Sequence, residues 1–220
     1  METSGYIFYS KETYEEPELI ARSKEHFEYL NKRRTVREFS DKAIPLPVLE
    51  NLVKSASTAP SGANKQPWTF CIITNAEVKK KIREAAEKEE YISYTKRMTQ
   101  EWLEDLSALG TNWQKPFLET APALIVVFKR SYEFDGNEKK NNYYVSESVG
   151  LACGILLEAI HYCGLVALTH TPSPMNFLCD VLERPENEKP FLLIPVGYPA
   201  DNTKVPDIKR KELKDIAVFY

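Results

Sequence analysis

Residues 146–165 read SESVGLACGILLEAIHYCGL, the most apolar segment with helical spacing in the 220-residue chain. Gly150, Ala152 and Gly154 place small residues along it, which lets another helix, or a second copy of this one, approach closely. On its N-terminal side, residues 123–129 (ALIVVFK) and 69–74 (TFCIIT) are short and rich in β-formers, so both read as buried strands. On its C-terminal side, residues 166–170 and 191–196 read as two more strands with a short helix between them. Further out, Asn75 caps a helix over 76–90, and Pro47 opens another with Leu49, Leu52, Val53 and Ala56 on one face. A helix over 17–32 should bury Leu19, Phe27 and Leu30, and residues 215–220 alternate loosely enough for an edge strand. Residues 130–142 read as a loop. Strands separated by helices indicate an α+β sandwich, one mixed sheet flanked by helices. The domain spans 17–220, preceded by a weakly ordered acidic arm over 1–16. Within it, residues 88–118 combine aromatic side chains with many charges and form a helical lid insertion.

Charge narrows the function classes. Lys and Arg number 29 against 32 Asp and Glu, a net charge of −3, so nothing global points to nucleic acid and any basic site is local. No apolar run approaches the ~20 residues that cross a bilayer. The acidic start lacks the apolar core of a signal peptide. The expectation is a soluble, cytoplasmic chain, membrane-attached only through an anchor preceding these residues. Cys71, Cys153, Cys163 and Cys179 include no C-x-x-C pair and read as reduced cysteines. His26, His161 and His170 show no metal-binding spacing, so no metal site is expected.

Two local features could carry chemistry. Arg33, Arg34 and Arg37 fall within five residues, and a guanidinium fork suits a phosphate through paired, charge-assisted hydrogen bonds. A second basic set, Lys209-Arg210-Lys211, could join the same anion. Read alone, such runs are more often solvated surface charge. Pro60-Ser61-Gly62-Ala63 is a run of small residues whose backbone could lie flat against a planar ligand, or form an ordinary turn. Neither a dinucleotide-binding glycine pattern nor a Walker motif occurs.

Taken in order, these segments resemble the nitroreductase-like flavoprotein superfamily. Lys32-Arg33-Arg34-Thr35-Val36-Arg37-Glu38-Phe39 looks like its phosphate-binding signature, with Thr35 keeping the hydroxyl of the usual serine. Ala59-Pro60-Ser61-Gly62-Ala63 with Gln66-Pro67-Trp68 looks like a second signature, and Pro195-Val196-Gly197-Tyr198-Pro199 a third. The resemblance narrows to the iodotyrosine deiodinases through Glu89-Glu90-Tyr91-Ile92-Ser93-Tyr94-Thr95-Lys96-Arg97-Met98 and Thr111-Asn112-Trp113-Gln114-Lys115. Ala152 to Leu157 and Thr169-His170-Thr171-Pro172 are also similar to that subfamily, although His170 departs from its usual threonine-rich run.

The resemblance implies a nitroreductase-like fold, an intertwined homodimer with the flavin between subunits, and FMN as cofactor. It implies flavin contacts from Arg33, Arg34, Thr35, Val36, Arg37, Ser61, Thr169, His170, Thr171 and Arg210, with Thr171 as the hydroxyl donor to flavin N5 and the catalytic residue. It implies substrate contacts from Ala63, Glu90, Tyr94 and Lys115. The activity implied is reductive removal of halide from mono- and diiodotyrosine, with NADPH as ultimate reductant through an unidentified reductase system. Two alternatives stay open: an NAD(P)H nitro- or quinone reductase, and a non-catalytic halotyrosine- or flavin-binding protein.

Overall fold

The computed structural model describes residues 5–9 and 11–220. Contacts divide the chain into one unit ending at Arg33 and another running from Arg34 to Tyr220. The first unit holds helix α1 (Glu16–Asn31). None of the helix's residues is buried, and Leu19 and Phe27, expected in a core, face solvent. The helix has an apolar face but nothing within its unit to bury it against.

The second unit starts with α2 (Leu46–Ala56), followed by β1 (Trp68–Ile73), α3 (Ala76–Ile92), α4 (Gln100–Ala108) and α5 (Phe117–Thr120). Strand β2 (Ala123–Arg130) leads into a hairpin of β3 (Tyr132–Asp135) and β4 (Glu138–Asn141). Helix α6 (Val145–Tyr162), strand β5 (Val166–Ala167), helix α7 (Phe177–Val181) and strand β6 (Glu188–Gly197) complete the framework. The main sheet runs β1-β2-β6-β5, with antiparallel pairing throughout. Its mixed character comes from one parallel bridge, Thr35 to Ala167.

Side chains alternate along β2 because a strand has a period of two. Ala123, Ile125 and Val127 pack into the layer under α2 and α6, with Leu49, Leu52, Val149, Leu156 and Ile160. Leu124, Val126 and Phe128 pack into the opposite layer under α3, α5 and α7, with Ile82, Phe117 and Leu178. Helices cover both faces, which is why this strand reads as an unbroken apolar run. Pairing slips between Val127 and Phe128, where Pro190 stands opposite Phe128 and has no N–H to donate.

Two sequence expectations fail for local reasons. The 130–142 loop is the β3–β4 hairpin: Gly136 at φ 60 opens a two-residue turn that asks for glycine there. The expected strand over 215–220 does not form. Leu213–Asp215 is a single 3-10 turn, and among the described residues no strand pairs with residues 216–220. The expected strand over 166–170 is only Val166–Ala167, followed by an isolated bridge from His170 to Leu193. Most other boundaries hold closely, including the Asn75 cap, whose side chain accepts from the Val78 N–H at 3.0 Å. All four cysteines are free, and burial pushes the Cys153 thiol up to about 12, which keeps it protonated and inert. No helix among the described residues is long and apolar enough to cross a membrane.

Candidate active site

The arginine segment is fastened along one end of the sheet. The Val36 N–H donates to Ala167 O at 3.2 Å, and the Ser40 N–H donates to Tyr198 O at 2.9 Å. Val36 itself is buried, so it acts as a fastening and offers no spare N–H to a ligand. Thr35 and Arg37 line a cavity of about 350 Å³ with Glu38, Leu109, Gly110, Lys204, Val205 and Pro206. Arg34 donates to the Pro206 carbonyl, which joins the segment to the chain leading towards exposed Arg210. Arg33 lies in the first unit, just past the end of α1, where its N–H donates to Leu30 O. Lys204 is an addition to the expected set; it lies outside the basic triplet at 209–211.

Three of the expected substrate contacts, Glu90, Tyr94 and Lys115, come together at the end of α3. Glu90 lies on its last turn, and Tyr94 follows on a π turn (Ser93–Arg97), four residues on and therefore on the same side. Lys115 arrives from the loop after α4. Its backbone N–H donates to Glu87 Oε1 at 2.6 Å, and its ammonium stands 3.6 Å from Glu90 Oε2. The ammonium also donates to Thr111 Oγ1 at 3.3 Å and to the Asn112 carbonyl, and lies 5.4 Å from the Tyr94 ring centroid. Tyr91 and Trp113 meet edge to face at 5.5 Å and hold the lid loop against α3. Glu87 and Thr111 escaped the sequence reading, although Glu87 sits three residues before Glu90, on the same helix face.

Both members of the ion pair are buried, at 7% exposure for Glu90 and 4% for Lys115. Burial pushes the Glu90 carboxyl up, and Lys115 opposes that. Burial pushes the Lys115 ammonium down, opposed by Glu90 and reinforced by Arg37. The Tyr94 phenol is raised by burial against the neighbouring Thr111 hydroxyl, and the Arg37 guanidinium is lowered by burial, with Tyr94 opposing. Arg37 of the arginine segment thus belongs electrostatically to the lid cluster as well.

His170 completes the cluster. It is buried, its Nε2 is 3.8 Å from Glu90 Oε1, and its ring meets Phe117 edge to face at 5.7 Å. Of its neighbours, Thr169 and Thr171 are exposed. The loop after Thr171 is tied to the lid, because Ser93 Oγ and Arg97 Nη1 donate to Ser173 O at 3.2 and 3.0 Å.

Ser61 and Ala63 stand elsewhere, against the start of α6. The Gly62 N–H donates to Ser148 Oγ at 3.4 Å, and a Cβ on Gly62 would come within 2.9 Å of the Tyr144 ring. Ser61 Oγ accepts from the Gln66 N–H at 2.9 Å. Ala63, Asn64 and Gln66 all have positive φ, a clustered strain of the kind held at ligand sites. Among the described residues no group of His, Cys, Asp and Glu could hold a metal ion.

The nitroreductase family model matches residues 30–198. An iodotyrosine deiodinase of Haliscomenobacter hydrossis is 59% identical over 218 residues, covering 98% of each chain. This chain belongs to the iodotyrosine deiodinases of the nitroreductase family. The human iodotyrosine deiodinase 1 is 47% identical over 219 residues, 99% of this chain and 76% of the human one. A solved oxidised iodotyrosine deiodinase bound to FMN and 3-iodo-L-tyrosine superposes with a TM-score of 0.76 at 34% identity, covering 88% of this chain and 97% of that one. A nitroreductase-like protein of Streptococcus mutans shares the fold at 18% identity, with a TM-score of 0.67 over 90% of this chain and 99% of the other.

Proposed function

We propose that this chain is an FMN-dependent reductive dehalogenase of halotyrosines, acting on mono- and diiodotyrosine as a homodimer, with NADPH as ultimate reductant. The observation that carries the reading is the buried Glu90–Lys115 pair beneath Tyr94 in the lid. Two opposite charges held dry and unequally placed match a free amino acid, with Lys115 taking the carboxylate and Glu90 the ammonium. Open aromatic substrates would have no use for such a pair.

The residues also fit FMN. Arg34, Thr35 and Arg37 offer guanidinium and hydroxyl donors beside a cavity, with Lys204 across it. The family signature adds Arg210 to the phosphate contacts. The strained, small-residue loop from Ser61 suits close approach to a planar ring. FMN supplies the two electrons that, with one proton, turn a carbon–iodine bond into carbon–hydrogen and iodide. The protein binds, orients and excludes water. The exposed Thr171 hydroxyl is the donor to the flavin edge, beside Thr169 and His170. The Ala63 N–H meets the phenolate oxygen. Tyr94 adds a hydrogen bond to the amino acid, and the closed lid strengthens each contact by removing water.

Ser61 and Ala63 pack against the start of α6, whereas Glu90, Tyr94, Lys115 and His170 gather at the end of α3. A site between two copies uses both. Helix α6 leaves Gly150, Leu151 and Gly154 exposed, with open space where a Cβ would stand on either glycine. Ile216, Val218, Phe219 and Tyr220 are exposed as well, and a partner subunit would cover such apolar surface. Adding FMN should produce a yellow holoprotein whose flavin fluorescence is quenched by monoiodotyrosine and not by tyrosine amide. A colourless protein, or equal quenching by both, would count against the assignment.

A further inference from the structure

Glu90 is held from two sides. Its Oε2 faces the Lys115 ammonium at 3.6 Å, and its Oε1 faces His170 Nε2 at 3.8 Å. When Lys115 turns to a substrate carboxylate, Glu90 stays buried with its compensating charge withdrawn until the substrate ammonium takes that place, and a buried carboxylate without a partner takes up a proton. A protonated Glu90 cannot pair with an ammonium. We propose that His170 is a positioning residue for amino-acid binding: in its Nε2–H tautomer it closes from 3.8 Å onto Glu90 Oε1 as Lys115 turns away, and so keeps that carboxylate ionised and aimed. The inference rests on Glu90 and Lys115 being the residues that grip the substrate amino acid.

Three observations support it. The Nε2 atom is buried and has no hydrogen-bond partner, so it holds an unused donor beside the carboxylate. The residue is held from outside the lid through its backbone, whose N–H and C=O both bond to Leu193 of β6 at 2.8 and 3.0 Å, while Phe117 supports the ring edge to face. The imidazole also stays neutral. Burial, then the charges of Lys115 and Arg37, push it down to about 3. A neutral donor can steady Glu90 without adding a third positive charge beside Arg37 and Lys115. The charged and titratable groups that face it are Glu90 from α3, Lys115 from the lid loop, and Arg37.

The test uses FMN-loaded protein titrated by flavin fluorescence from mildly acidic to mildly alkaline pH, with monoiodotyrosine and with 2-iodophenol, which lacks both amino-acid charges. His170→Phe should weaken iodotyrosine binding about ten-fold at neutral pH, the usual scale for a hydrogen bond to a charged group. Its deficit should widen as the pH falls, because unopposed burial raises the Glu90 carboxyl and protonation removes the ammonium's partner. His170→Gln, whose amide nitrogen reaches the same place, should keep the wild-type pH profile. Iodophenol affinity per bound FMN should be unchanged in both; FMN content is measured beside it, because His170 neighbours the proposed flavin contacts. A His170→Phe profile that parallels wild type, an equal loss for iodophenol, or a His170→Gln that behaves as His170→Phe would overturn the proposal. Glu90→Gln separates the two readings: unchanged iodotyrosine affinity there overturns the lid assignment itself, whereas weakened binding beside a normal His170→Phe overturns only the role of His170.

Discussion

Replacing Lys115 with methionine is expected to lower the affinity for monoiodotyrosine by about 100-fold or more, close to ~3 kcal/mol, because truncating one partner of a buried pair removes a contact and strands the other charge. Lys115 is 4% exposed and faces Glu90 at 3.6 Å, so both penalties apply. The substrate carboxylate loses its cation, and Glu90 loses the neighbour that holds its carboxyl down against burial. The sign of the pH effect is set by that loss. With the Glu90 carboxyl raised further, residual binding should fall as the pH drops through that carboxyl's range and recover above it. FMN binding should change far less than iodotyrosine binding, since Lys115 reaches the proposed phosphate contacts only through the charge of Arg37. Isothermal or fluorescence titration of the holoprotein measures both constants. Iodotyrosine affinity within about threefold of wild type would remove Lys115 from the substrate site.

The second large effect is on stability. Gly197 ends β6 opposite Val166, and a Cβ there would stand 2.6 Å from Pro122 Cδ and 3.0 Å from Phe39 Cδ1. Neither neighbour can swing aside: Pro122 is a ring, and Phe39 is buried and bridged to Pro199. Gly197→Ala should therefore cost about 3 kcal/mol, the upper range for overpacking, and lower the melting temperature by roughly 10 °C in a domain of this size. The same residue links fold to function. Phe39 belongs to the segment that carries Arg34, Thr35 and Arg37, so displacing it should weaken FMN binding together with the fold. Thermal melting by circular dichroism, with and without FMN, reads both. An unchanged melt would show that the contact relaxes freely.

Much of this framework is legible in the residue order. The apolar run of β2 announces a strand buried on both faces, the apolar spacing of α6 announces a core helix, and Asn75 announces the start of α3. The hairpin inside the expected 130–142 loop was not legible, because exposed strands such as Glu138–Asn141 bury little and leave no apolar alternation to read. The strand expected over 215–220 had the right residues and no neighbour. Leu19 and Phe27 on α1 obey the same logic: a pattern reports an apolar face, and cannot report what covers it. The site was legible in part. Glu90 and Tyr94 share a helix face four residues apart, but nothing local ties Lys115 to them or sets His170 beside Glu90. Those contacts are made by the lid loop crossing α3 and by the bridge from His170 to Leu193. Resemblance supplied Lys115, and only the fold shows that Arg37 and His170 share its electrostatics.

The most direct test of the central claim is iodide release from FMN-loaded protein incubated with 3-iodotyrosine and dithionite. The account predicts one iodide and one tyrosine for each iodotyrosine consumed, with loss of turnover in Lys115→Met. Quenching of the flavin without iodide release would make the protein a binder. Absent turnover of iodotyrosine alongside rapid NAD(P)H-driven reduction of nitroaromatics would contradict the account.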